Sequence, residues 1–259
     1  MPKLSKRQEY FSSLEEKKYS VNEAVEFLSG APKTSFTESL DISIHDPALE
    51  YSVPKASQFD YVFICVPTDA KPGDMGELDI SILKSVYNMF VGQQVIRSTI
   101  GPDHVEHFPG AIVFPEFLRE NHWKEDVDDD SIPLIIGSEE ISTNSLNQWF
   151  AEQTNKSVKV VDPEEAAMIK VARNAALAVK VEFANILYDT CQALKLDYNN
   201  IKDILVEDPN IGGSHWDVPG PDGKRGFGGK CLPKDTMHFN QLNSSAMISV
   251  LLMNNGRRR

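Results

Sequence analysis

No stretch of the 259 residues approaches the ~18 consecutive apolar residues that a membrane helix needs. The opening segment, MPKLSKRQEYFSSLEEKKYS, holds no apolar core, so no secretory signal is expected. Cysteine is scarce: Cys65, Cys191 and Cys231 are too few and too scattered for a disulfide framework or a zinc site, and no metal is expected. Basic charge is in the minority. With 26 Lys and Arg against 38 Asp and Glu, the net charge of −12 argues against a nucleic-acid binder, which needs a basic face. The arginines at 257–259 are the one basic cluster and read as a frayed tail. Before Gly73 the only glycine is Gly30, so no G-x-G-x-x-G turn can form in that part of the chain. The absences leave a cytoplasmic globular protein with neither membrane nor nucleic-acid partner. At 41% hydrophobic residues it can bury a core, and its length fits one large domain or two ordinary ones.

What is present alternates. DYVFICVPT (60–68) is nearly all apolar, as a buried parallel strand requires, and DISIHDP (41–47) is a shorter alternating strand. LDISILKSVYNMF (78–90) reads as a helix with Ile82, Val86 and Met89 on its apolar side. QVIRST (94–99), AIVF (111–114), IPLIIG (132–137) and VKVV (158–161) read as strands, with a helix over 140–153. Such alternation indicates a parallel, doubly wound α/β sheet. From Pro163 to about residue 195 neither glycine nor a second proline interrupts one long helix. Pro163 suits its first position, and Glu164 and Glu165 suit the positive end of its dipole. Apolar residues mark two faces, Met168, Ala172, Ala176 and Val179, then Ile169, Ala176, Phe183 and Leu187, so cover is expected on both sides. That cover can be the chain's own core or a second subunit. A helix over 198–207, a Gly- and Pro-rich loop over 209–230 and a further helix complete the chain. The acidic run VDDDS (127–131) reads as a solvated loop.

The chemistry concentrates in GKRGFGGKCLPKDT, Gly223 to Thr236. Cys231 follows Gly226, Gly228 and Gly229 and precedes Pro233, which pre-sets the first turn of a helix. A thiol at a helix N-terminus beside Lys230 and Lys234 has its thiolate favoured by dipole and charge. Asp235, four residues on, falls on the same helix face. The loop is not a nucleotide P-loop, because Lys224 and Cys231 stand where that motif needs Gly and Ser or Thr. Elsewhere Glu116 and Glu120 of PEFLRE (115–120), and Lys170 and Asn174 of the long helix, are spaced i, i+4. CVPT (65–68) and RSTIGP (97–102) end strands where open α/β sheets bind ligands.

The order VPT, ST-x-G-P, PEFLRE, K-x-x-x-N and GFGGKCLPKD, from about Phe59 to about Asn243, resembles the UDP-glucose/GDP-mannose dehydrogenase family. The resemblance implies an incomplete Rossmann-like NAD-binding domain (37–162, its first βα unit missing), a helical dimerisation domain (163–259) and a divergent segment (1–36). It makes Cys231 the catalytic thiol and places Lys170, Asn174 and Asp235 around the reacting alcohol, with Thr99 and Glu116 activating water. Phe117, Leu118, Arg119, Gly226, Phe227 and Gly228 would line the nucleotide-sugar site beside Glu116, Glu120, Lys170 and Asn174. Asp46, Val66, Pro67, Thr68, Ser98, Thr99, Glu120 and Lys234 would contact NAD. The long helix would pair two subunits.

The sequence departs from the family in several places. The family's opening glycine turn is missing, and a further C-terminal nucleotide-binding domain would follow in longer members. Asn210 stands where the family has Arg before Ile-Gly, and SHWDVPGPDGKR (214–225) lengthens the loop. Two functions follow: a two-domain NAD-dependent nucleotide-sugar 6-dehydrogenase, UDP-glucose to UDP-glucuronate first, or a non-catalytic homologue that keeps the sugar pocket and serves as an assembly partner.

Overall fold

Alternate side chains of the same strands enter two separate cores. Ile96, Val113 and Ile135 face one with Leu78, Leu83, Phe108 and Ala166, while Val95, Ile112 and Ile136 face the other with Phe114 and Leu146. A strand buried on both faces has no polar side, which is why these segments read as continuous apolar runs. The computed structural model describes residues 58–71, 76–119, 122–139, 146–148, 150, 154–243 and 247–258. The divergent segment 1–36, the strand at 41–47, Asp46, Glu120 and most of the helix at 140–153 lie outside the described residues.

Strands β1 (Gln58–Ile64), β2 (Val91–Ile96), β3 (Ile112–Val113), β4 (Leu134–Gly137) and β5 (Val158–Val161) form one sheet in that order. Three of the four pairings are parallel, and β3 with β4 is antiparallel. The wholly parallel expectation is corrected at that pair. The chain leaving β3 stays at that strand's carboxyl edge through PEFLR and the short helix α2 (Trp123–Asp128), so β4 enters from that edge and runs back.

Helix α1 (Ser81–Val86) is shorter than its pattern promised, and its buried residue is Leu83, with Ile82 47% exposed. Tyr87 leaves helical geometry and Asn88 turns left-handed (φ 60°), which ends the helix and keeps Met89 off the Ile82 face.

Helix α3 (Pro163–Leu194) has 32 residues and is about 48 Å long. The Asp162 N–H donates to the Glu165 carboxylate at 3.2 Å, Pro163 takes the first position, and Lys195 in left-handed geometry (φ 58°) ends it. Its inward face is short: Ala166, Ala167, Val171, Ala175, Ala178 and Ala184 are buried. The expectation of a helix covered on both sides is corrected within this chain, because Met168, Ile169, Val179, Phe183 and Ile186 are exposed. Alanines let the sheet and the later helices approach the α3 axis, so the bulky residues are left on the other side. Helices α4 (Tyr198–Leu205), α5 (Cys231–Leu242) and α6 (Ile248–Arg257) follow. Among the described residues no helix is long and apolar enough to cross a membrane.

Sheet and helix approach closely at Gly137, where a Cβ would meet Ala166 Cβ at 2.7 Å and Pro163 Cα at 2.8 Å. Gly137→Val is therefore expected to cost about 1–3 kcal/mol through overpacking, read as a lower urea midpoint.

Candidate active site

The loop before Cys231 is shaped by what lies behind it. Gly226 is left-handed (φ +75°), and a Cβ there would stand 2.2 Å from Asn254 Oδ1. The same Asn254 oxygen accepts the Phe227 N–H at 2.7 Å, and Phe227 is buried. Asn185 Oδ1 accepts from Gly226 N at 3.3 Å and Arg225 Nε at 3.1 Å. Arg257 and Arg258, two of the three arginines read as a frayed tail, are part of this assembly. Arg257 pairs with buried Glu182 (2.9 Å) and with Asp189 (2.7 Å). Arg258 pairs with Asp222 (2.5 Å) and lays its guanidinium over Gly228, so a side chain there would displace it. Asn185, Glu182, Asn254, Arg257 and Arg258 were not assigned from sequence. Asn254 and the arginines follow the glycine motif by too many residues for local spacing to connect them.

Cys231 opens α5 and is exposed, with Pro233 in the first turn. Asp235, on the same helix, is fully buried. Its carboxylate accepts from Asn174 Nδ2 at 2.5 Å and Lys234 Nζ at 2.7 Å. Lys170 is buried one turn before Asn174, and its ammonium donates to the Glu116 carbonyl oxygen. Burial pushes the Lys170 ammonium below the usual lysine range, against the pull of Asp235 and Cys231. Its charge is therefore costly and sensitive to what occupies the space nearby. Lys170 and Arg173 also lie over the Phe117 ring, 5.6 Å and 5.3 Å from its centroid.

PEFLR is extended, so Glu116 is not on a helix. Arg97 pairs with the Glu116 carboxylate, donates to the Phe114 carbonyl at 3.0 Å and covers the Phe114 ring at 4.3 Å. Glu116 Oε1 also accepts the Leu118 N–H at 2.7 Å. Arg119 is held by Asp126, which takes its side chain at 2.5–3.0 Å and its N–H at 2.7 Å. Lys156 donates to the Asp126 and Asp129 carbonyls behind it. Nothing in the sequence marks the partners of Arg97 and Asp126, although Arg97 opens RSTIGP and Asp126 directly precedes VDDDS.

At the carboxyl edge of β1 and β2, the Ser98 hydroxyl accepts the Val66 N–H (2.9 Å) and donates to the Val66 carbonyl (2.7 Å). Thr68 Oγ1 donates to the Thr99 carbonyl at 2.6 Å. Ser98 and Thr68 are thus buried braces between neighbouring strand ends, while Pro67 is exposed and Val66 and Thr99 half-buried at the edge. The structure therefore gathers Lys170, Asn174, Lys234 and Asp235 behind Cys231, joins Lys170 to Glu116 through a hydrogen bond, and sets 66–68 beside 98–99.

The Asp126 carboxyl is held below the usual carboxylate range, first by its side-chain hydrogen bond to Arg119. A depressed folded-state pKa stabilises the fold above the unfolded value of about 3.8 and loses that contribution as pH falls through the folded one. Asp126→Asn should therefore lower the melting temperature at pH 7, with the gap to wild type closing as a pH series descends below that value.

With this geometry in place, comparison is informative. Residues 164–258 match the UDP-glucose/GDP-mannose dehydrogenase family, central domain. UDP-glucose 6-dehydrogenase of Rickettsia bellii is 28% identical over 200 residues, 70% of this chain and 44% of that one. GDP-mannose 6-dehydrogenase of Pseudomonas savastanoi pv. phaseolicola is 28% identical over 223 residues, 75% and 49%. A UDP-glucose dehydrogenase from Pyrobaculum islandicum superposes with a TM-score of 0.64 at 25% identity, covering 76% of this chain and 50% of its own. The chain spans about half the length of the curated relatives it matches. The match to that central domain thus begins in the first turn of α3 and takes in α4, the glycine loop, α5 and α6, with the mostly parallel sheet before it.

Proposed function

We propose that this site oxidises the C6 primary alcohol of a nucleotide sugar to the acid in two successive steps with NAD, and that UDP-glucose is the first substrate to test. The observation that carries the reading is an exposed thiol at the start of α5, with buried Asp235, Asn174 and Lys170 gathered behind it. The relatives named above are nucleotide-sugar 6-dehydrogenases, which supports the substrate class.

Val66, Pro67, Thr68, Ser98 and Thr99 would hold NAD at the strand ends. The exposed Pro67 and half-buried Val66 and Thr99 fit a ligand laid along that edge. NAD, when bound, supplies a hydride acceptor for each of the two oxidations. The Lys170 ammonium faces the alkoxide charge that develops at the sugar oxygen and lowers its cost. The Cys231 thiolate adds to the resulting aldehyde carbon to form a thiohemiacetal, whose oxygen meets the same ammonium. Loss of the second hydride leaves a thioester on Cys231. Water held by the Glu116 carboxylate, which takes its proton, attacks the thioester carbonyl, the acid departs, and the thiolate is restored. Asn174 keeps the Asp235 carboxylate in place throughout.

The exposed face of α3 is the proposed seat of a second copy. Met168 and Ile169 line a hollow of about 530 Å³ with Pro102, Val161, Glu164 and Glu165, and Phe183 stands out further along the helix. A charge there should part the copies: Phe183→Glu is expected to turn a dimer into a monomer by light scattering, and a monomeric wild type would end this part of the proposal.

The reaction is tested by following NADH absorbance with NAD and a panel of UDP- and GDP-sugars. One sugar should give two NADH per acid formed. Cys231→Ala should form no acid, and Lys170→Ala should lose about 10²–10³-fold in kcat, as when a preorganised charge donor is removed. No NADH with any sugar, in a protein whose melting temperature a nucleotide sugar still raises, would favour the binding homologue instead.

A further inference from the structure

The reaction makes no use of the two buried histidines on the sheet side of α5. His238 is fully buried. Its Nδ1 lies 2.9 Å from the Gly76 carbonyl oxygen, which can only accept, so Nδ1 carries the proton. In the neutral ring Nε2 then presents a lone pair. That nitrogen is 3.2 Å from Asp103 Oδ1, yet off the line of a hydrogen bond, and it has no hydrogen-bond partner among the described residues. A lone pair against a carboxylate oxygen is repulsive unless a cation is shared between them. His104 completes the group. Its ring stacks on His238 with centroids 5.2 Å apart and planes 15° from parallel, and its Nδ1 is 3.7 Å from the same Asp103 oxygen.

We propose that Asp103, His104 and His238 bind one divalent transition-metal ion of the zinc class. One donor atom from each lies within 4.8 Å of the others. In a tetrahedral site with bonds of ~2.0–2.2 Å, neighbouring donors stand about 3.3–3.6 Å apart, between the two separations seen here. The carbonyl behind His238 Nδ1 is the outer partner that ligating histidines commonly have, fixing both tautomer and ring angle. Gly101 makes the space: a Cβ there would fall 1.8 Å from His238 Nε2 and 2.3 Å from Asp103 Oδ1. His104 Nδ1 exchanges the Gly101 N–H that it accepts at 3.1 Å for the metal, and water reaches the fourth position past exposed Asp103. The ion would fasten α5, which begins at Cys231, to the 3₁₀ turn Pro102–His107 that follows Ser98 and Thr99. Cysteine counting does not reveal such a site, because its donors are two histidines and an aspartate far apart in the chain.

The test titrates chelator-treated protein with Zn²⁺ by calorimetry and with Co²⁺ by absorption. One ion per chain is expected, with cobalt bands of a tetrahedral nitrogen and oxygen site, no thiolate-to-cobalt charge-transfer band, and a melting temperature raised by Zn²⁺. Asp103→Asn, at an exposed position, and Gly101→Ala should each weaken binding by at least about tenfold and remove the thermal shift. Absence of stoichiometric binding, a thiolate band, or binding unchanged in Asp103→Asn would overturn the proposal.

Discussion

A carboxylate with no access to water organises the helical half of this protein. Asp235 is fully buried, and an ion so placed is strongly destabilising unless its oxygens are answered. Asn174 of α3 answers one and Lys234 of α5 the other. The pairing therefore fixes the register of α5 along α3. With that register set, Cys231 stands at the head of its helix on the side where Lys170 emerges, one turn from Asn174. The alanine face of α3 makes the arrangement possible, since larger residues would hold α5 too far away for an asparagine to reach.

The sheet half is braced in the same economical way at its carboxyl edge. Ser98 and Thr68 spend their hydroxyls on neighbouring strand ends, and Arg97 gathers the Phe114 and Pro115 carbonyls with the Glu116 carboxylate. Asp126 then takes Arg119, so the extended segment from Pro115 to Arg119 is pinned at both ends. Lys170 spans from the helices to the middle of that segment through the Glu116 carbonyl. Thiol, lysine and acidic loop are held by separate anchors that meet at one side chain.

The parts of this arrangement that were legible in the sequence are those governed by local rules. The long helix announced itself through Pro163, its two following glutamates and the absence of any interior glycine, and it ends within a residue of the expected place. The end of β2, β3 and β4 showed as apolar runs because both of their faces are covered, whereas β1 leaves Phe63 exposed. The place of Cys231 at the start of a helix was visible because glycines, proline and lysines crowd within a few positions of it. What escaped depends on partners distant in sequence. Asn254 and Arg258 shape the glycine loop only through the fold-back of α6, and Asp126 matters only because α2 returns to the PEFLR segment. The reversed direction of β4 is likewise set by where the chain travels between strands. Ile82 and Leu83 show the same limit on a small scale: both are apolar neighbours, and only the position of the sheet decides which is buried.

The clamp of Arg257 and Arg258 on the glycine loop also fixes a point of exit. The Arg258 guanidinium, at the end of α6, lies against Gly228, three residues along the chain from Cys231. A pull on the chain past α6 would therefore be felt at the glycine loop, through two guanidinium groups rather than through the backbone.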